Sequence, residues 1–247
     1  MRTARMCTAV AQRLGHAPSV LERYQIACLL HDLGRAGLDR RLFGRIWSWA
    51  KERGIPTRPR EWRAAHPETA YGRETEAFLA RYRKALEASG ITMEPWACEQ
   101  VEMRLGYARR LGKRLRQVEP HLTRLGVTWL PWMKQVMLYY YYPEKLARAK
   151  PWVRQLAEVL VACEQFEAYS NHRRGRDYYA RAKESLPEAF AYLEKLQEEG
   201  LLSRQVVRTL QQLAAEGEFD QILSEARGTP LSRRERQWLR GARITEA

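Results

Sequence analysis

Ile26-Ala27-Cys28-Leu29-Leu30-His31-Asp32-Leu33-Gly34-Arg35-Ala36-Gly37-Leu38 decides how the chain is read. Its five apolar residues, 26–30, follow a Ser19-x-x-Glu22 capping-box pattern. They predict a helix buried on most of its circumference, which delivers His31 and Asp32 together before Gly34 stops it. An imidazole beside a carboxylate at such a helix end is a metal-ligand pair by residue type, because both donors suit first-row divalent ions. A bare His-Asp dipeptide also serves as an ordinary helix end, so the surrounding residues carry the assignment.

Three further stretches accompany this one in order: "TRPREWRAAHPETA" at 57–70, "GVTWLPWMKQVMLYYYYPE" at 126–144, and "LVACEQFEAYSNHRRGRDYYARAKESLPEAFAYLEKLQEEGLLSRQVVRTL" at 160–210. With "LLHDLGRAGL" at 29–38 they resemble the HD superfamily of metal-dependent phosphohydrolases, and within it the HD-GYP branch whose active members hydrolyse cyclic di-GMP. The resemblance implies an all-α fold, an HD-domain helical bundle. It also implies His31, Asp32, His66 and Glu164 as metal ligands, with Arg35 steadying a phosphate where the family often has lysine.

The departures from the family lie at the ligand positions. Where the first helix should open on H-x-x-R, this chain has Arg2-Thr3-Ala4-Arg5. Arg2 cannot ligate, because a guanidinium does not deprotonate. Held about 4 Å from a divalent ion it would cost roughly 8 kcal/mol at an effective dielectric near 20. The expectation is that Arg2 pairs with Asp32 or Glu164 and stands in for an ion. The family's two consecutive histidines are replaced by Tyr140 and Tyr141 within the run Tyr139–Tyr142, and the Asp-Gly-x-Gly-Tyr-Pro loop is missing. Phenols are poor ligands for hard ions, so these rings are expected to fill the vacated space. Glu164 stands where the family has aspartate, which keeps the charge and moves the oxygen.

Working outward, "TARMCTAVAQRL" at 3–14 sets Met6, Val10 and Leu14 on one helical stripe. Leu42, Ile46, Trp47 and Trp49 mark another helix, ended by Gly54-Ile55-Pro56, and Thr57 is read as the cap of the helix that carries Trp62 and His66. Residues 72–120 have no family counterpart and read as an inserted helical segment. Within it, Val101, Leu105, Ala108, Leu111, Leu115 and Val118 form an apolar stripe, and Arg104, Arg109, Arg110, Lys113, Arg114 and Arg116 form a basic face. Ser185-x-x-Glu188 caps a later helix, and Gly200 stops it. The expected domains are an HD-GYP-like domain at 1–215, carrying that insertion, and a basic helical appendage at 216–247 whose helix begins at Ser232.

The formal net charge is +14, concentrated in residues 40–60, 102–124 and 227–243, which carry net +6, +5 and +5; the rest is close to neutral. Such a field points to a nucleotide, a nucleic acid, anionic lipid or an acidic protein as partner, unless the runs are solvated helix faces. The four cysteines, Cys7, Cys28, Cys98 and Cys163, lack C-x-x-C spacing and read as reduced thiols of a cytoplasmic protein. No apolar run reaches the roughly 18 residues of a spanning helix.

The leading functional expectation is a catalytically degenerate HD-GYP-like protein that acts as a regulatory or binding module, with no cofactor. The alternatives are a divergent single-metal phosphohydrolase or phosphodiesterase holding one Mn, Fe or Ni ion, and a nucleic-acid-binding protein using its basic helices.

Overall fold

The computed structural model describes residues 1–170 and 185–241, apart from the side chain of Arg40. The middle of the fourth family-like stretch, 171–184, and the end of the basic tail, 242–247, lie outside the described residues. Among the described residues every regular element is a helix and no strand occurs, so the all-α expectation holds. The chain divides into two units: residues 1–31 with the described residues from 131 onward, and residues 32–130. The expected boundary at 215/216 is not where this division falls.

The first unit is arranged around α9 (Pro151–Ser170), which has buried residues on nearly all sides, among them Val153, Leu156, Val159, Leu160, Cys163 and Phe166. An all-round apolar helix has to be covered on several faces. Here α1 (Arg2–Arg13), α8 (Pro131–Leu138), α10 (Leu186–Glu198) and α11 (Arg204–Glu216) pack on it. Of the predicted α1 stripe, Met6 and Val10 are buried together with Cys7 and Ala11, while Leu14 is the C-cap and half-buried. Ser185 caps α10 as expected, its hydroxyl accepting from the Glu188 amide at 3.4 Å.

The helix that opened the sequence reading differs from expectation in three respects. It runs from Pro18 to Leu29 (α2), with Ala17 as its cap and no side-chain capping bond. Proline's fixed φ starts the helix ahead of Ser19, so the Ser19/Glu22 box falls inside the first turn. Only Tyr24, Ala27 and Cys28 are buried, and Leu29 is 44% exposed, so α2 buries one face rather than most of its circumference. His31 and Asp32 stand in the turn after the helix, and Gly34 lies inside a 3-10 turn, Leu33–Arg35.

The carboxyl-terminal helices belong to the first unit. α12 (Asp220–Arg227) is followed by α13 (Arg233–Gly241), which packs on α11. Leu231 and Leu239 are buried, and the Trp238 ring stacks on Phe190 with centroids 5.6 Å apart. The expected surface appendage is thus docked along its described length.

The second unit contains α3 (Arg40–Glu52), α4 (Pro59–Ala65), α5 (Glu74–Ala88), α6 (Pro95–Leu105) and α7 (Tyr107–Arg124). Asp39 caps α3, its carboxylate accepting from the Arg41 and Leu42 amides at 2.8 and 3.1 Å. Arg58, rather than Thr57, occupies the cap position of α4. Aromatic edges build the core: Phe78 lies 5.7 Å from both Trp47 and Trp62, centroid to centroid. α6 packs on α3, α4 and α5, so the helices of 72–120 share one core with residues 32–71. Gly106 divides the expected 101–118 helix into α6 and α7, and a Cβ there would run into the Glu102 carboxylate.

Candidate metal centre

Among the described residues, one group of three ligating side chains is close enough to hold an ion: His31, Asp32 and Glu164, with one donor atom from each all within 4.8 Å of one another. His31 follows α2, Glu164 lies on α9, and the peptide bond from His31 fixes the Asp32 backbone. Around a six-coordinate ion with bonds of about 2.1 Å, adjacent donors stand roughly 3 Å apart, so small side-chain rotations bring this trio to ligating distance. The donor chemistry fits as well, one imidazole nitrogen and two carboxylates suiting Mn, Fe or Ni.

The imidazole is held by the backbone of α2. His31 Nδ1 lies 2.6 Å from the Cys28 carbonyl oxygen. A carbonyl only accepts, so Nδ1 carries a proton. A backbone carbonyl holding the far nitrogen is the usual support of a ligating histidine. Two turns before His31, the buried Tyr24 hydroxyl donates to the Leu156 carbonyl at 2.8 Å, tying α2 to α9. Arg35 meets Asp32 through a guanidinium-to-carboxylate contact of 2.8 Å, with the Arg35 side chain 24% exposed.

The other predicted site residues are not among these three. Arg2 pairs with Glu167 at 3.0 Å, through both Nε and Nη2, and not with Asp32 or Glu164 as expected. Glu167 lies one helical turn beyond Glu164 and is 8% exposed, and no sequence signal marked it. His66 caps the end of α4 in the second unit, its ring 4.2 Å from Trp62 and its Nδ1 3.5 Å from Arg81 and 3.6 Å from Glu68; it is not one of the three converging ligands.

The tyrosine run is engaged with its own unit. Tyr139 and Tyr142 are buried, and the Tyr139 hydroxyl donates to the Leu201 carbonyl at 2.8 Å. Tyr140 and Tyr141 are half-buried, their rings edge to face at 5.5 Å, and the Tyr140 hydroxyl lies 3.1 Å from that of Tyr192.

The basic face expected along 104–116 is largely engaged within the second unit. Arg104 lies over the Trp47 ring at 5.0 Å and donates to Thr57 Oγ1 at 2.9 Å. Arg109 forks onto Glu102 at 2.7 and 2.8 Å and reaches Glu76 at 3.3 Å. Arg110, only 4% exposed, is a buried cation and not a surface one. It donates to the carbonyls of Gly34 and Ala36 at 2.5 and 2.7 Å and pairs with Glu99. Lys113 meets Glu99 at 3.4 Å, and Arg114 donates to the Ala36 carbonyl at 3.1 Å. Arg116 is exposed.

Cys7, Cys28 and Cys163 are free, fully buried thiols on α1, α2 and α9. Burial, reinforced by Cys7, pushes the Cys28 and Cys163 thiols well up, so both stay protonated at neutral pH. Among the described residues no helix is long and apolar enough to cross a membrane. No family model, curated protein or solved structure matches the chain.

Proposed function

We propose that the protein is an HD-GYP-like module that binds one divalent ion through His31, Asp32 and Glu164 and, beside it, the phosphate of a nucleotide through Arg35. The observation that carries this reading is the convergence of those three donor atoms within 4.8 Å. An ion bound there supplies positive charge against a phosphate oxygen. Arg35 provides a fixed second cation next to Asp32. Three protein donors leave the remaining positions to water or ligand, which suits reversible binding.

The role is regulatory in this reading, because the chain lacks the family's histidine pair and opens with Arg2 in place of the first ligand. Single-metal phosphodiester hydrolysis is the second reading. It is favoured by the pairing of Arg2 with Glu167, since the guanidinium that was expected to replace the ion is engaged elsewhere. The nucleic-acid reading loses its main support, because Arg104, Arg109, Arg110, Lys113 and Arg114 already have partners within the protein.

Titration of the chain with Mn²⁺ tests the ion site. One ion per chain is expected, with affinity reduced by about 100-fold or more in Asp32→Ala and His31→Ala and unchanged in His66→Ala. Absence of stoichiometric binding by the unsubstituted chain overturns the reading. Hydrolysis of a chromogenic phosphodiester that disappears in Asp32→Ala would decide for the enzyme over the module.

A further inference from the structure

The loop that follows Asp32 has little hydrogen bonding of its own. Its regular element is the short 3-10 turn, with amides of Arg35, Ala36 and Leu38 donating to the Asp32, Leu33 and Arg35 carbonyls at 2.8, 3.1 and 3.2 Å. The carbonyls of Gly34 and Ala36 instead point at α7. Arg110 takes both with one guanidinium, Nε on Gly34 and Nη2 on Ala36, while its Nη1 pairs with Glu99 on α6. Arg114, one turn on, adds a second donor to Ala36. The Tyr107 ring packs so closely on Gly34 that a Cβ there has no room.

This is a strap of charged and aromatic side chains on a turn whose first and last residues carry the site's chemistry: Asp32 precedes the 3-10 turn and Arg35 ends it. A planar guanidinium with a fixed fork of donors holds two carbonyls and a carboxylate at once, which an ammonium on a flexible stem cannot do. The cation is buried and its acceptors lie inside the second unit, so it serves no external ligand.

We propose that Arg110 is a positioning residue for the ion and phosphate site: it fixes the Asp32–Arg35 turn, and the affinity of that site depends on it. The proposal rests on the ion-binding reading above and extends it to a helix far along the chain.

The test compares the full-length chain with Arg110→Lys, which keeps the charge and loses the fork, and with Arg227→Lys, a change of the same kind at a buried arginine of the first unit. Two quantities are read: amide hydrogen exchange at Arg35, Ala36 and Leu38, and Mn²⁺ affinity. Arg110→Lys is expected to speed exchange at those three amides at least tenfold and weaken Mn²⁺ binding about tenfold, with α9 amides unchanged. Arg227→Lys is expected to leave both readouts at their original values. Unchanged exchange in Arg110→Lys overturns the strap. Faster exchange with unchanged Mn²⁺ affinity overturns positioning alone. If the unsubstituted chain binds no Mn²⁺, the ion-binding reading fails first and positioning falls with it, an outcome distinct from the other two. Should Arg110→Lys fail to fold, Glu99→Gln, which loosens the guanidinium and leaves it in place, is expected to give the same changes in smaller measure, and a null result there overturns the proposal.

Discussion

Tyr139 stands at the head of a run of four tyrosines, yet its hydroxyl is committed to the Leu201 carbonyl, with the side chain 2% exposed. Burial, with the negative charge of Glu158 adding to it, pushes the phenol above its ordinary value and keeps it a donor at any physiological pH. Tyr139→Phe leaves the carbonyl without that donor, and a loss of about 1–2 kcal/mol is expected in urea unfolding. At this scale residue type was legible and role was not. Arg2, Arg110 and Arg116 look alike in the sequence. One pairs with a nearly buried glutamate, one straps a turn, and one is exposed.

Individual elements show where acid should act. Arg227, at the end of α12, donates to the Ser170 carbonyl at 3.0 and 2.5 Å and pairs with Glu235 on α13. Burial of Glu235 opposes its charge, but Ser232 and Arg227 outweigh that and hold the carboxyl below its ordinary value. The Arg110 guanidinium does the same to Glu99. A carboxyl whose value is depressed in the folded state stabilises the fold fully above its unfolded value, near 4.5, and loses that contribution as pH falls through the lower folded value. Stability measured by urea is therefore expected to decline below about pH 4.5, and Glu235→Gln should flatten that decline.

Arg227→Ala removes a buried guanidinium and leaves Glu235 and the Ser170 carbonyl without it. A loss of about 3 kcal/mol is expected, read as a drop in the urea midpoint and as faster exchange in α13. The helices themselves were largely legible. The α1 stripe, the Ser185 cap and the helix after Ser232 follow from patterns within one or two turns. The start of α2 was missed because two local signals competed, and the proline outweighed the capping box.

For the whole molecule, the division at residue 32 sets an expectation. The second unit has its own aromatic core of Phe43, Trp47, Trp62 and Phe78, so a chain of residues 32–130 should fold alone. Far-ultraviolet circular dichroism of that fragment should show a helical spectrum with a cooperative melt; a featureless, non-cooperative chain would contradict it. The expected insertion at 72–120 was drawn from where a family pattern paused, and a pause in a pattern says nothing about which helices share a core. The same holds for the tail, whose charge suggested a surface segment while Leu231, Trp238 and Leu239 gave it an apolar side to dock.

The amino-acid sequence by itself determined an all-helical chain, the approximate place of most helices and the adjacency of His31 and Asp32. Each of these rests on interactions between residues a few positions apart, which spacing and residue type report directly. Only the tertiary structure decided that Arg2 meets Glu167 and that a basic-face arginine is buried against the Asp32–Arg35 turn. Those contacts join residues far apart in the chain and depend on the rotation and register of whole helices. A shift of one residue turns an α-helical side chain by about 100°, enough to exchange one partner for another.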